Sequence, residues 1–200
     1  MGLSLSYKDG QTPINEEEKD GLRIRTVTTH AELDELEHSN IELAIVWLET
    51  SKPKKEEVLT EEFIKKLHKK MFGDVWSWAG SFRTTEKNIG NTWTEIPVKL
   101  RQLLDDTKYW IEYEIYPPEE IAIRFKHVLV SIHCFPNGNG RHSRIMAEII
   151  METLFGKNPF FWHQSSLVNH DENRKRYIAA LKEADNGNIE VLENFALSIR

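Results

Sequence analysis

Only one cysteine, Cys134, occurs in the 200 residues. A single thiol excludes an intramolecular disulfide framework and a cysteine-rich zinc site, and it suits a reducing compartment, most simply the cytoplasm. Glycine and proline are sparse, at 10 and 7 residues, and no repeat or low-complexity linker is visible. No apolar run approaches the ~20 residues of a membrane span. The start, Met1 to Asp20, lacks a basic stretch followed by an apolar one, so no secretory signal is expected. Positive charge is not in excess. The net charge of −6 argues against nucleic acid as a direct partner, because binding a phosphate backbone needs concentrated positive charge. The lysine clusters (Lys52, Lys54, Lys55; Lys65, Lys66, Lys69, Lys70) alternate with glutamates and read as solvated helix faces. What remains is the composition of a globular chain, 40% hydrophobic and 29% charged, long enough to bury one full core.

Apolar residues recur mostly at three- and four-residue steps, which predicts a mostly α fold. Residues 1–28 read as an irregular wrapping arm, with turn signals at Asp9-Gly10, Thr12-Pro13 and Asp20-Gly21. Leu33, Leu36, Ile41, Ala44, Ile45 and Leu48 predict helix from about Thr29, as two segments broken near Ser39-Asn40. Thr60 is an N-cap candidate, with Glu61 and Glu62 in the first turn and Phe63, Ile64, Leu67 and Met71 as its apolar stripe. Residues 74–97 differ in kind: threonines and aromatics around Gly90-Asn91 predict a short β-hairpin. Pro97 suits the start of a helix carrying Leu100, Leu103, Leu104, Trp110 and Ile111. After Pro117-Pro118 another helix, with Ile121, Ala122, Phe125, Leu129 and Ile132 on one face, leads to His133. Beyond it come a buried helix closed by Gly156, an aromatic connector over 157–169, a helix capped by Asp171, and a last helix after Gly187.

The segment His133-Cys134-Phe135-Pro136-Asn137-Gly138-Asn139-Gly140-Arg141-His142-Ser143-Arg144 carries the chemistry. It joins a histidine, a glycine-rich turn with free N–H groups and two arginines, between two helices. A phosphate there would meet amide donors and the positive end of a helix dipole. Arg141 and Arg144, three apart, are placed to point the same way and clamp phosphate oxygens. His133 stands where a general base is wanted. Taken singly, each residue has a structural reading; the joint pattern is what points to a site. The spacing of His127, His133 and His142 matches no helical zinc motif. His127 and His142 read as packing or surface residues, His163 and His170 have no assignable partner, and Cys134 is a minor candidate nucleophile.

This run resembles the signature of the Fic family, His-x-Phe-x-(Asp/Glu)-Gly-Asn-Gly-Arg-x-x-Arg, at every fixed position but one, where Asn137 replaces the acidic residue. The Asn-bearing form is similar to a bacterial subgroup called mobile mystery protein B. Ala79-Gly80-x-Phe82-Arg83-Thr84 resembles the family's flap, and Tyr177-x-x-Ala180-Leu181-x-x-Ala184-Asp185 its closing helix. The implied organisation is a Fic-like domain over 59–200, with an arm and helices over 1–58 packing on it. The implied activity is transfer of AMP from ATP to a Ser, Thr or Tyr hydroxyl of a protein. In that scheme His133 is the base, and Gly138, Asn139 and Gly140 offer donors to the α- and β-phosphates. Arg141 holds the β-phosphate, Arg144 the γ-phosphate, and Phe135 anchors the loop. Thr94, Glu95 and Ile96 in the flap register the target by strand pairing.

Asn137 is the departure. A carboxylate there would hold Mg²⁺ or Mn²⁺ across the phosphates, whereas an amide offers a carbonyl oxygen without charge. Three outcomes are open: slow transfer with the metal held by nucleotide and water, a different phosphate-bearing substrate, or nucleotide binding without transfer. A further alternative is a toxin-like protein with a DNA-binding, antitoxin-like partner. Many relatives also carry an inhibitory glutamate that pairs with the second motif arginine. Glu32, Glu37 and Glu42 are the candidates here, and each also reads as a surface residue of an amphipathic helix.

Overall fold

The protein is described by a computed structural model over residues 12–160, 162 and 170–197. Helices dominate, as the periodicity requires: α1 (Glu16–Lys19), α2 (His30–Ser51), α3 (Lys55–Val58), α4 (Glu61–Phe72), α5 (Ile96–Glu112), α6 (Pro118–Ile132), α7 (Asn139–Ile149), α8 (His170–Asp185) and α9 (Ile189–Leu197). Helix α7 runs on into a π-helical turn over Ile150–Leu154. One hydrophobic core joins them, with Ile64, Leu67, Ile96, Leu100, Phe125, Phe135, Met146 and Leu192 fully or almost fully buried. Helix α6 lies at its centre, packed against α5, α7 and α9, while α4 is sandwiched between α2 and α7.

Local chemistry sets most boundaries. Thr60 caps α4 by accepting from the Phe63 N–H at 3.1 Å, and Pro97 occupies the first turn of α5. Helix α6 ends at His133, whose φ of 58° is left-handed.

Four sequence expectations are corrected. Helix α2 is continuous through Ser39-Asn40. Asn40 does not cut the helix because its side chain bonds outward: Nδ2 donates to Lys70 O at 3.0 Å and Oδ1 accepts from Asp74 N at 3.0 Å. The arm is not wholly irregular. Asn15 and Glu18 form a reciprocal capping box that nucleates α1. Asp171 lies inside α8 rather than capping it. Of the aromatic connector, His163 lies outside the described residues.

The fourth correction concerns the hairpin. Among the described residues there is no regular strand, only an isolated bridge between Leu22 and Trp76. The two sides of the Gly90-Asn91 turn bond to the motif loop instead of to each other: Arg83 N donates to Cys134 O at 3.0 Å and Asn91 N to Ile132 O at 3.4 Å. The Arg83 guanidinium then supplies the cross-links that a ladder would provide, to His133 O at 2.6 Å, to Thr85 O at 2.7 Å and to Asn91 O. A planar group with five donors satisfies three converging carbonyls that no strand partner reaches.

Candidate active site

The loop between α6 and α7 is fixed by its own residues. Asn139 is buried, accepts from Phe135 N at 2.9 Å and donates to Phe135 O at 2.7 Å, so one side chain staples the turn. Phe135 is fully buried and stacks on His68 with ring centroids 3.7 Å apart. Gly138 has φ of 78°, and a Cβ there would lie 2.5 Å from the Phe72 ring, so only glycine fits.

Above this base the first turn of α7 carries no side-chain cap. The N–H groups of Asn139, Gly140 and Arg141 are the first-turn donors that a helix cannot satisfy internally. A Cβ built on Gly140 meets nothing within 4 Å, so the space beside this residue of the first turn is open. That is a place for an anion. It fits the donor role expected of Gly138, Asn139 and Gly140 through their backbone, although the Gly138 N–H already donates to Asn137 Oδ1 at 2.6 Å.

His133 sits at the other edge of the turn, only 4% exposed. Its Nε2 lies 3.1 Å from the hydroxyl of Thr12. Burial, and next the Arg83 charge, push its pKa down to about 4, so the ring is neutral at ordinary pH. Nδ1 is buried and makes no hydrogen bond of ordinary geometry, yet the Val130 carbonyl favours the ring cation. A proton on Nδ1 directed loosely at Val130 reconciles the two and leaves the Nε2 lone pair for a hydroxyl proton.

The two arginines do not converge. Arg141 pairs with Glu37 Oε2 at 2.6 Å and lies over the Phe72 ring. Arg144 lies over the Tyr177 ring on the opposite side, toward α8. Three residues on a helix subtend enough rotation for each guanidinium to find its own aromatic face. The common clamp inferred from spacing is therefore absent while Glu37 holds Arg141. Glu37 is buried and also accepts from Trp76 Nε1 at 2.6 Å. Of the three candidate inhibitory glutamates it alone reaches the motif, and through the first arginine rather than the second. Glu32 closes the capping box of α2 with Thr28 and Thr29. Glu42 is exposed and pairs with His38.

The flap expectation fails in its detail. Trp93–Glu95 is a turn of 3₁₀ helix and Ile96 is buried at the head of α5. Thr94, Glu95 and Ile96 thus present no extended edge for strand pairing, because Glu95 N already donates to Thr92 O at 2.9 Å. What touches the site from the flap is Gly90, where a Cβ would lie 2.5 Å from that of His133.

Residues fit for holding a metal are not assembled. Asn137 Oδ1 is taken by the Gly138 N–H, and among the described residues no group of three His, Cys, Asp or Glu converges. The metal role considered for Asn137 is not supported by this donor set. Cys134 is buried with its thiol pushed up to about 12, which removes it as a nucleophile. His142 is buried and bonds Ile64 O at 3.0 Å, and His127 pairs with Asp185, so both are packing residues.

Three residues escaped the sequence reading. His68 accepts from Gly80 N on Nδ1 at 3.1 Å and donates from Nε2 to Asn137 O at 3.0 Å, tying the flap base to the loop. Its signal was available: it lies on the apolar face of α4, beside Ile64, Leu67 and Met71. In the sequence Arg83 reads only as part of a flap pattern, and Thr12 only as a turn residue. No local signal marks Thr12, because its partner is 121 residues away.

The family model that matches, described as the Fic/DOC family, covers residues 58–151. A relative named Protein adenylyltransferase Fic, from Drosophila grimshawi, is 26% identical over 195 residues, 94% of this chain and 38% of that protein. The chain thus spans well under half the length of that relative. Among solved structures, Fic-1 (residues 134–508) from C. elegans aligns with a TM-score of 0.63 at 24% identity, over 78% of this chain and 46% of that one. The BepC protein of Bartonella tribocorum, a VirB-translocated effector solved with bound AMPPNP, aligns with a TM-score of 0.67 at 16% identity, over 90% and 96%. The helical fold, the His133–Arg144 motif and these matches together make residues 58–151 a Fic/DOC family domain.

Proposed function

We propose that the protein is an adenylyltransferase that moves AMP from ATP to a protein hydroxyl. The observation that carries this reading is the placement of a neutral imidazole with a hydroxyl on Nε2 beside the open N-terminus of α7. His133 takes the proton of the attacking hydroxyl. The new bond forms between that oxygen and the α-phosphorus, the bond to the bridging oxygen breaks, and pyrophosphate leaves. Asn139, Gly140 and Arg141 offer N–H groups where negative charge accumulates. Arg141 adds its guanidinium once it leaves Glu37, and Arg144 serves the terminal phosphates after leaving Tyr177. Any Mg²⁺ or Mn²⁺ arrives with the triphosphate as part of the substrate, since the described residues assemble no group of His, Cys, Asp or Glu for it.

The relatives' name and the nucleotide-bound neighbour support this chemistry; the target protein is unassigned by them. We take residues 59–200 as the domain and 1–58 as an addition that covers its site. The lone buried cysteine is in keeping with a cytoplasmic setting and the motif form with a bacterial source. Asn137 favours a second reading, a nucleotide-binding module without transfer. Incubation with ATP labelled in the α-phosphate, with Mg²⁺ or Mn²⁺, separates them. Label on protein supports transfer; bound nucleotide without label supports the module. Neither result leaves the toxin-like protein with a DNA-binding partner.

A further inference from the structure

Among the described residues four buried side-chain atoms find no hydrogen-bond partner: Lys126 Nζ, His133 Nδ1, Trp162 Nε1 and Tyr177 OH. The histidine belongs to the active site. The other three meet in one place between α6 and α8, where Lys126 Nζ lies 4.4 Å from the centre of the Tyr177 ring and 5.9 Å from that of Trp162. Lys126 is fully enclosed at an inward position of α6, next to the buried Phe125. Trp162 holds a left-handed φ of 45°, which an aromatic residue adopts only where packing imposes it, so the fold aims its indole. All three groups are donors, and buried donors are almost always bonded. The carboxylates nearby do not close the gap. Asp185 is taken by His127 at 2.8 Å. Glu148 is pushed up to about 7 by burial, and the Trp162 N–H favours its charged form without reaching hydrogen-bond geometry. Arg144 adds a second positive charge, its guanidinium 5.4 Å from the centre of the Tyr177 ring. Burial first, and then Arg144, hold Lys126 well below the usual lysine range, against a smaller pull from Asp185. What the place lacks is a negatively charged acceptor.

We infer that Lys126, Tyr177 and Trp162 enclose a site for a small monovalent anion of halide size, with Arg144 as the second cation beside it. This goes beyond the transferase reading and does not depend on it. An ammonium, a phenol O–H and an indole N–H supply the donors. A spherical anion accepts from all three directions at once, which a carboxylate fixed to one helix does not. Enclosure selects the ion: Lys126 is 0% and Trp162 4% exposed, so the guest enters without most of its water. A weakly hydrated single charge loses least on that transfer, whereas fluoride, sulfate and phosphate lose more. The bound anion pairs with the ammonium form, so Lys126 takes up a proton as the site fills.

The test unfolds the full chain thermally in chloride–gluconate mixtures of fixed total salt, so that screening stays constant. Chloride should raise the folded-to-unfolded ratio roughly 10-fold between about 1 and about 100 mM, as for one site of intermediate affinity. Lys126→Met, of similar volume but without a donor, should abolish the response and fold at least as well as the unchanged protein. Tyr177→Phe and Trp162→Phe should each weaken it. Crystals grown in bromide should show anomalous density within hydrogen-bond distance of Lys126 Nζ. The response should persist with saturating ATP. Its loss there would make these donors part of the nucleotide's own site and overturn the inference. No response to chloride at constant ionic strength overturns it too, as does an equal response in Lys126→Met, which would put the ion elsewhere. Should Lys126→Met fail to fold, a full response in both Tyr177→Phe and Trp162→Phe overturns it in the same way.

Discussion

The motif loop and the groups that cover it are built by opposite means. The turn of the loop is formed by contacts between near neighbours, Asn139 with Phe135 four residues back and Gly138 with Asn137, and His68 and Arg83 brace it from outside. The cover is held by contacts across the chain. Thr12 reaches His133, Glu37 reaches Arg141, and Lys87 reaches Glu18. The loop takes its shape by local construction, while the groups that meet it are brought by distant segments. Short-range bonds survive changes elsewhere, whereas each long-range contact is one substitution from release.

The largest effect should come from the loop side. His133→Ala is expected to lower transfer by about 10²–10⁴-fold, the usual worth of a general base, while ATP binding persists because Arg83 holds the backbone carbonyl of residue 133. Single-turnover labelling with an equilibrium binding measurement checks this, and unchanged turnover removes His133 from the mechanism. On the cover side, Glu37→Gln removes the negative charge that holds Arg141 but keeps an acceptor for Trp76. Labelling should rise by ~10-fold, equivalent to about 1.4 kcal/mol, whereas Glu32→Gln and Glu42→Gln should change nothing. A rise with Glu42→Gln instead would reverse the assignment of the glutamates.

Smaller effects sharpen the contrast in stability. Asn139→Ala leaves Phe135 N and O unsatisfied in the interior and should cost about 1–3 kcal/mol, read by denaturant unfolding; a Thr12→Ala change should cost much less. Acid acts on the loop side too. His133 and His142 have pKa values pushed from 6.5 down to about 4, chiefly by burial, and His68 is lowered as well. The unfolded chain binds more protons than the folded one between those limits, so stability is complete above pH 6.5 and falls as pH drops toward 4. Glu148, raised from 4.5 to about 7 by burial, acts in the opposite sense and offsets part of the loss. The midpoint of thermal unfolding should therefore decline between pH 6.5 and 4.5, less steeply in His142→Gln; a flat profile contradicts the buried neutral imidazoles. The smallest effect belongs to Cys134, whose thiol should resist alkylation at pH 8 in the folded protein and react on unfolding.

Much of the fold was legible because its determinants are local. Helical stripes, the Thr60 cap, Pro97 and the glycine-bounded loop each act within one or two turns. The hairpin failed for an instructive reason: residues 82–92 have strand-like composition, but Arg83 supplies a better partner for their carbonyls than a second strand would. The break at Ser39-Asn40 failed likewise, because Asn40 finds Lys70 and Asp74 on α4 and just beyond it. At the site, His133 and Phe135 stood out by motif. His68 carries only a weak sequence signal, a polar residue within an apolar stripe, where a histidine also reads as packing.

By itself the sequence determined a helical chain, a stapled turn with unsatisfied amides, and a histidine at its edge, because φ preferences, caps and periodicity are properties of neighbouring residues. Only the tertiary structure decided that Glu37 pairs with Arg141, that the two arginines face apart, and that Thr12 meets His133. Those outcomes depend on how α2 and the arm pack against α4 and the flap, and contacts between residues more than a hundred positions apart leave no mark on either one's local sequence.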